Sequence, residues 1–155
     1  TNNPIGVDMS HPASSDDKPV TELHLPKGKK ILFKFRSQDV LHSAYMPHFR
    51  AQMNCVPGMI TEFAFTPITT TDDMRRNPDV LAKVKKINKI RVENSKELVA
   101  NGDEALEPYI FDYILLCNKI CGASHYNMQM KIIVETPEEY QAWIDQQQTF
   151  AQVIQ

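Results

Sequence analysis

Apolar and polar positions alternate with a period near two from Val20 to Thr66. Thr21 to Leu25 alternates. Ile31, Phe33 and Phe35 share one face, with Leu32, Lys34 and Arg36 on the other. Phe63 and Phe65 point one way within Glu62 to Thr66. Period two is the mark of a half-buried strand, and the Pro26-Lys27-Gly28 and Pro57-Gly58 turns separate these strands. His42 falls where a strand is expected to end. Asn77-Pro78-Asp79 then opens a helix, with Asn as N-cap and Pro in the first turn. Val80, Leu81, Val84 and Ile87 recur at helical spacing, and Lys83, Lys85, Lys86 and Lys89 lie between them. A second short turn is expected at Glu97 to Ala100, stopped by Asn101-Gly102. Strands resume over 109–116 and 130–134. Thr136-Pro137-Glu138-Glu139 is a capping box for a helix whose apolar side is Tyr140, Trp143 and Ile144. The pattern predicts a mainly β protein, a β-sandwich with a helical insertion over about residues 72–103 and a short C-terminal helix. Residues 1–19 read as a polar tail or linker, 20–147 as one domain, and 148–155 as a C-terminal tail.

Bulk properties narrow this only a little. The chain has 155 residues, enough for one domain with one core. It is 42% hydrophobic and 23% charged with a net charge of −2, which gives no reason to expect a nucleic-acid partner. No apolar run approaches the roughly 20 residues of a membrane helix, and no signal peptide opens the chain. The polar start suggests a fragment of a longer protein. Three cysteines, Cys55, Cys117 and Cys121, make a poor disulfide framework. A close pair with histidine nearby points instead to metal or redox chemistry.

The densest chemistry lies between the last two strands, where residues 117–130 hold Cys117, Cys121, His125, Met128 and Met130. Thiolate, imidazole and thioether form a soft ligand set. Zinc takes Cys and His but binds thioether poorly, whereas copper pairs His and Cys with a weak axial Met. Cys121, His125 and Met128 stand at i, i+4 and i+7, so one loop can wrap a metal from three sides. With His42 from a distant strand, that set would already serve a mononuclear blue-copper centre. Cys117 is then a second sulfur on the same loop. If the loop folds back, two thiolates can bridge two coppers, each copper taking one imidazole and one weak donor. Met128 would serve one, and the main-chain carbonyl of Lys119 the other.

The segment Cys117-Asn118-Lys119-Ile120-Cys121-Gly122-Ala123-Ser124-His125-Tyr126-Asn127-Met128 resembles the C-x3-C-G-x2-H-x2-M signature of the CuA domain of cytochrome c oxidase subunit II. Asp39-Val40-Leu41-His42-Ser43, followed by Val56-Pro57-Gly58, is similar to that family's other motif, in the family's order. The resemblance runs from about Val20 to Ile144, apart from the helical insertion. It implies a cupredoxin-like Greek-key β-sandwich and a dinuclear copper centre. Cys117 and Cys121 would bridge the coppers, His42, His125 and Met128 would be terminal ligands, and the Lys119 carbonyl the last donor. It further implies an electron carrier that breaks no bonds itself but belongs, as subunit II, to an enzyme reducing O2 to water. Electrons would arrive from a cytochrome c or a haem c domain and leave to haem in subunit I. The domain would sit on the outer face, periplasmic or intermembrane, of a respiratory membrane, held there by segments absent from this chain. Three departures stand out. Lys119 replaces a glutamate that helps bind magnesium in the family; lysine cannot bind magnesium, so that site is left unsupported. Asn54-Cys55 replaces Asp-Ala, which puts Cys55 in a small buried position. The only tryptophan is Trp143, whereas the family carries a Trp-rich strand upstream.

Other readings remain open on the residues alone. These are a mononuclear blue-copper carrier with Cys117 a bystander, a copper chaperone or thiol reductase using C-x3-C, and the related centre of nitrous oxide reductase. His48 rivals His42, which is preferred because it follows Asp39-Val40. Met46 and Met53 read as core, Met130 as packing or lining the site, and Cys55 as no ligand. His11 and His24 are expected to face solvent, the Lys83–Lys89 run to be a solvated helix face, and Asp39 to orient the His42 loop or cap a turn.

Overall fold

The computed structural model describes residues 11–153; expectations for 1–10 and 154–155 lie outside them. Seven strands form two sheets. β1 (Leu23–Pro26), β3 (His42–Met46), β4 (Ala51–Cys55), β6 (Tyr113–Cys117) and β7 (Gln129–Glu135) make a five-stranded sheet in the order β1-β7-β6-β3-β4. β2 (Ile31–Phe35) and β5 (Thr61–Phe65) pair antiparallel as the second. β1 runs parallel to β7 and the other neighbours run antiparallel. The β3–β4 hairpin is followed by β5 on the opposite sheet, and β6 returns beside β3, which is a Greek-key path.

The core lies between the sheets. The inward residues Met46, Ala51, Tyr113, Ile132 and Val134 of the large sheet are buried. Phe33, Phe35, Phe63 and Phe65 of the small sheet pack against this cluster. Phe49 joins the sheets, stacked 4.5 Å from Tyr113 and tilted against Phe65 at 4.6 Å. Tyr113 also donates from its hydroxyl to Thr69 O at 3.1 Å, and burial pushes its pKa up to about 12. Met46 is core as expected, and Cys55 is buried.

Between β5 and β6 the chain forms α1 (Thr71–Arg76) and α2 (Pro78–Ala100). The Asn77 side chain caps α2 by accepting from Asp79 N and Val80 N. The separate turn expected at 97–100 is instead the last turn of one continuous helix. Nothing in α2 breaks its ladder before Asn101, and Gly102 then takes φ 90°. The strand expected from residue 109 starts only at Tyr113. Residues 104–112 form neither helix nor strand; α2 side chains bond to the backbone of three of them instead. Asn88 donates to Tyr109 O at 3.0 Å and accepts from Tyr109 N at 2.7 Å. Ser95 Oγ accepts from Leu106 N at 2.9 Å, and Arg91 donates to Glu107 O at 2.6 Å.

α3 (Pro137–Gln146) begins at the expected capping box, with Thr136 and Glu139 bonding reciprocally. α4 (Phe150–Val153) follows. Its buried Phe150 donates from its backbone to Asp17 O at 2.6 Å, so the stretches near both ends of the described chain pack together. His24 corrects an expectation: it is 7% exposed, not solvent-facing. Its ring stacks on Trp143 at 4.0 Å, with Nδ1 2.9 Å from Glu135 and Nε2 3.1 Å from Glu22. Polar partners on both nitrogens are what make burying an imidazole tolerable.

Candidate metal centre

The site forms where three loops meet at one end of the sandwich. β6 pairs with β3 through Ala44–Cys117 and Tyr45–Leu116, so Cys117 closes β6 beside the start of β3. His42 therefore opens β3, against the expectation that it ends a strand. The preceding turn is what fixes it there: Ser37 donates to Val40 O, and Ser37 bridges to Pro57. After Cys121, Gly122 takes φ 150°, a conformation side chains disfavour. The chain then winds into the short 3-10 turn His125–Asn127, with His125 N donating to Gly122 O at 3.2 Å. Cys117 N donates to Met128 O at 3.0 Å, which closes the loop back onto β6.

This folding brings together all six residues singled out in the sequence. Cys117 Sγ lies 3.8 Å from Cys121 Sγ, and all three cysteines are free thiols. His42 Nδ1 is 3.9 Å from Cys117 Sγ, and His125 Nδ1 is 3.6 Å from Cys121 Sγ. Met128 Sδ is 3.2 Å from Cys121 Sγ, and the Lys119 carbonyl oxygen is 3.2 Å from Cys117 Sγ. The donor atoms of His42, Cys117 and Cys121 all fall within 4.8 Å of one another, a cluster able to hold a metal ion. Lys119 is exposed, and it meets Cys117 through its backbone.

Electrostatics separate the two thiols. Burial pushes Cys117 up, but hydrogen bonds from the Ser43 and Lys119 backbone and from His42 and His125 outweigh it. The thiol settles at about 6. Burial and the neighbouring Cys117 sulfur push Cys121 up. The pair thus offers one thiolate near neutrality, with the second proton released on metal binding. Asp39 accepts from His42 Nε2 at 2.8 Å; this bond raises His42 and lowers Asp39. His48, the rival imidazole, lies away from the sulfurs, edge-on to Phe111 at 5.0 Å.

Behind the cluster is an apolar groove of about 290 Å³, whose lining includes Phe35, Ala44, Cys55, Leu115 and Met130. Cys55 faces His42 directly across the β3–β4 ladder, and burial raises its thiol, so it stays neutral. The Ser43 backbone contribution to Cys117 has no sequence signal, because every residue but proline supplies an N–H.

The chain is 36% identical over 151 residues to the alternative cytochrome c oxidase subunit 2 of Bradyrhizobium diazoefficiens, covering 96% of this chain and 40% of that protein. The chain is a homologue of cytochrome c oxidase subunit 2. A second subunit 2, from Thermostichus vulcanus, is 26% identical over 131 residues, covering 84% of this chain and 27% of the relative. The chain therefore spans well under half the length of these subunit 2 relatives. No protein-family model matches it. Among solved structures, the periplasmic domain of cytochrome oxidase subunit II of Bradyrhizobium japonicum aligns with a TM-score of 0.52. That alignment is 18% identical and covers 80% of this chain and 61% of the other. The cupredoxin-like fold implied by the motifs is thus the fold this subunit 2 homologue has. No helix among its described residues is long and apolar enough to cross a membrane.

Proposed function

We propose that this chain is the copper-bearing electron-transfer domain of a haem–copper terminal oxidase. In this reading, a dinuclear CuA centre is held by His42, Cys117, the Lys119 carbonyl, Cys121, His125 and Met128. The observation that carries it is a pair of unbridged sulfurs 3.8 Å apart, each with its own imidazole Nδ1 within 4 Å. A soft set of two thiols, two imidazoles, a thioether and a carbonyl fits copper better than zinc or a hard cation.

When bound, copper supplies a one-electron couple shared between two ions, which lowers the rearrangement that accompanies each transfer. The chain's own residues do the rest. β6, β3 and the Gly122 turn fix the donors before any metal arrives, so little conformational entropy is lost on loading. The groove beside Cys117 gives the inner side of the sulfurs an apolar lining. Lys119 leaves no carboxylate for magnesium, so a magnesium ion at this position is not part of the proposal.

On the outer side, Ile120 and Tyr126 are 91% and 87% exposed on the ligand loop itself. Such side chains suit close approach of a partner's haem edge. In the intact oxidase, the donor would be a cytochrome c or haem c domain and the acceptor haem in subunit I. The domain would face the outside of the respiratory membrane, and the whole complex would reduce O2 to water.

Copper analysis with electron paramagnetic resonance tests this directly. About two coppers per chain and a seven-line hyperfine pattern are expected, since one electron is shared by two equivalent nuclei. A single copper with a four-line pattern, unchanged by Cys117→Ser, would leave a mononuclear blue-copper carrier. A thiol-exchange role draws on the low Cys117 value, but it gives no use to the converging His125 and Met128.

A further inference from the structure

We infer that the outward flank of α2 is a docking surface for an acidic helix of a partner protein. The inference stands apart from the copper reading, because the flank lies away from the sulfurs.

The two sides of α2 are occupied differently. Val80 and Val84 pack against the core, and Asn88, Arg91 and Ser95 bond to the backbone of Leu106, Glu107 and Tyr109. The other side is free. From Lys83 to Arg91 the helix carries five basic residues and no acid, in a chain whose net charge is −2. Arg91 is committed to Glu107 O. Lys83, Lys85, Lys86 and Lys89 are exposed and join no ion pair among the described residues; the one pair α2 makes there is Lys96 with Glu93.

Apolar side chains stand among these charges. At about 100° per residue, Leu81, Lys85, Lys89, Val92, Lys96 and Val99 share one flank roughly 80° wide. Leu81, Val92 and Val99 are each more than half exposed. Ala82, Lys85, Lys86, Lys89 and Val92 help to line a groove of about 650 Å³ on this surface.

Shape and charge together select the occupant. From Leu81 to Val99 the flank is straight and about 27 Å long. Lys85 and Lys89 stand one turn apart, about 6 Å, which matches glutamates at i and i+4 on a helix laid alongside. Apolar residues of that helix would cover Leu81, Val92 and Val99, supplying the burial that exposed ion pairs lack by themselves. A second α2 in the same position would set lysine against lysine. A bilayer fits less well, since the flank has no aromatic side chain and no apolar face unbroken by lysine.

The position keeps this partner clear of electron exchange. α2 is bonded to Tyr109, ahead of the start of β6, whereas Cys117 closes that strand. Lys83 is near enough to His48, in the turn after β3, for its charge to act there, whereas His42 opens β3. A helix seated on α2 leaves the ligand loop free.

The test titrates this chain, labelled with nitrogen-15, with a synthetic helical peptide of about three heptads. The peptide has leucines on one face and glutamates at i and i+4 beside them; a control peptide has lysine for each glutamate. Amide shifts should be confined to residues 81–99, with the ligand loop unmoved, and the control should cause none. Affinity should fall at least about tenfold in Lys85→Glu with Lys89→Glu, and also in Val92→Ser, and should weaken as salt rises from about 0.05 to 0.5 M. All three positions are exposed. Unchanged amide spectra outside α2 show that the variants fold, and Lys85→Gln with Lys89→Gln replaces the charge reversal if it does not. Absent shifts, shifts centred elsewhere, or undiminished affinity in the charge-altered variant overturn the proposal. So does binding to phosphatidylglycerol vesicles in place of the peptide, which makes the flank a lipid contact. Dimers that form with concentration and are lost in Lys85→Glu overturn it too, by making the flank a self-interface. Copper content is measured on the same samples and should not change with peptide, so failure of either reading leaves the other standing.

Discussion

His48 lies edge-on to Phe111 and Tyr113, with ring centroids 5.0 and 5.7 Å away. Burial, and then the positive charge of Lys83, push its pKa down. A base with a lowered folded pKa folds best when neutral. Its contribution is complete above the ordinary imidazole value of about 6.5 and is lost as pH falls through the folded value. His42 has the opposite slope, since Asp39 raises it: its contribution is complete below about 6.5 and lost as pH rises through the folded value. Comparing urea midpoints of the parent and His48→Phe between about pH 7 and pH 5 isolates the first effect. The variant should lose less stability on acidification; equal slopes would mean His48 is not penalised by its surroundings. At this scale the sequence was legible where partners are near in the chain. Cys121, His125 and Met128 declare themselves within eight positions. His24 did not, because Glu135, one of its two acid partners, is 111 residues away, and Trp143 is more distant still.

The helical insertion shows the same rule for whole elements. Asn77-Pro78 and the apolar repeat identify the start of α2, because caps and periodicity are local signals. Residues 109–112, expected to open a strand, lie outside β6, and for a physical reason. Tyr109, Phe111 and Tyr113 do alternate with Ile110 and Asp112, and Phe111 and Tyr113 are buried. Alternation reports which side faces the core, not which groups satisfy the backbone. Asn88, Arg91 and Ser95 of α2 do that work for Tyr109, Glu107 and Leu106. Asn88→Ala would strip both backbone partners from Tyr109 at a local cost of about 1–3 kcal/mol. Hydrogen exchange should then quicken at Tyr109, with strands β3, β6 and β7 protected as before. Loss of protection throughout the sheets would instead make Asn88 part of the global fold.

Across the molecule, chemistry is concentrated at one end. The three loops that meet there, 36–41, 56–60 and 118–128, contain only Arg36, Asp39 and Lys119 as charged residues, and Asp39 is engaged with His42. Their exposed side chains include Val40, Met59, Ile60, Ile120 and Tyr126. A nearly neutral apolar rim predicts docking by contact rather than by long-range attraction. Electron exchange with a donor should change by less than about threefold between low and high salt, whereas charge-steered pairs change by orders of magnitude. Ile120→Ser should slow exchange while leaving the copper spectrum unaltered. A steep salt dependence in stopped-flow kinetics would point to a charged surface elsewhere, such as the lysines of α2. The sandwich and the ligand loop could be anticipated from alternation and motif spacing. The apolar groove beside Cys117 could not, since it is bounded by residues from β2, β3, β4, β6 and β7 that only the Greek-key path assembles.

Lys119 offers its carbonyl to the sulfur pair and holds its side chain out in solvent. Side-chain identity at this position is thereby uncoupled from the donor set. A light-activated ruthenium or flavin label tethered at residue 119 would sit one residue from the exposed Ile120 and two from each cysteine. Flash excitation from such a tether would clock electron injection over a fixed short span, with no diffusional encounter to blur it.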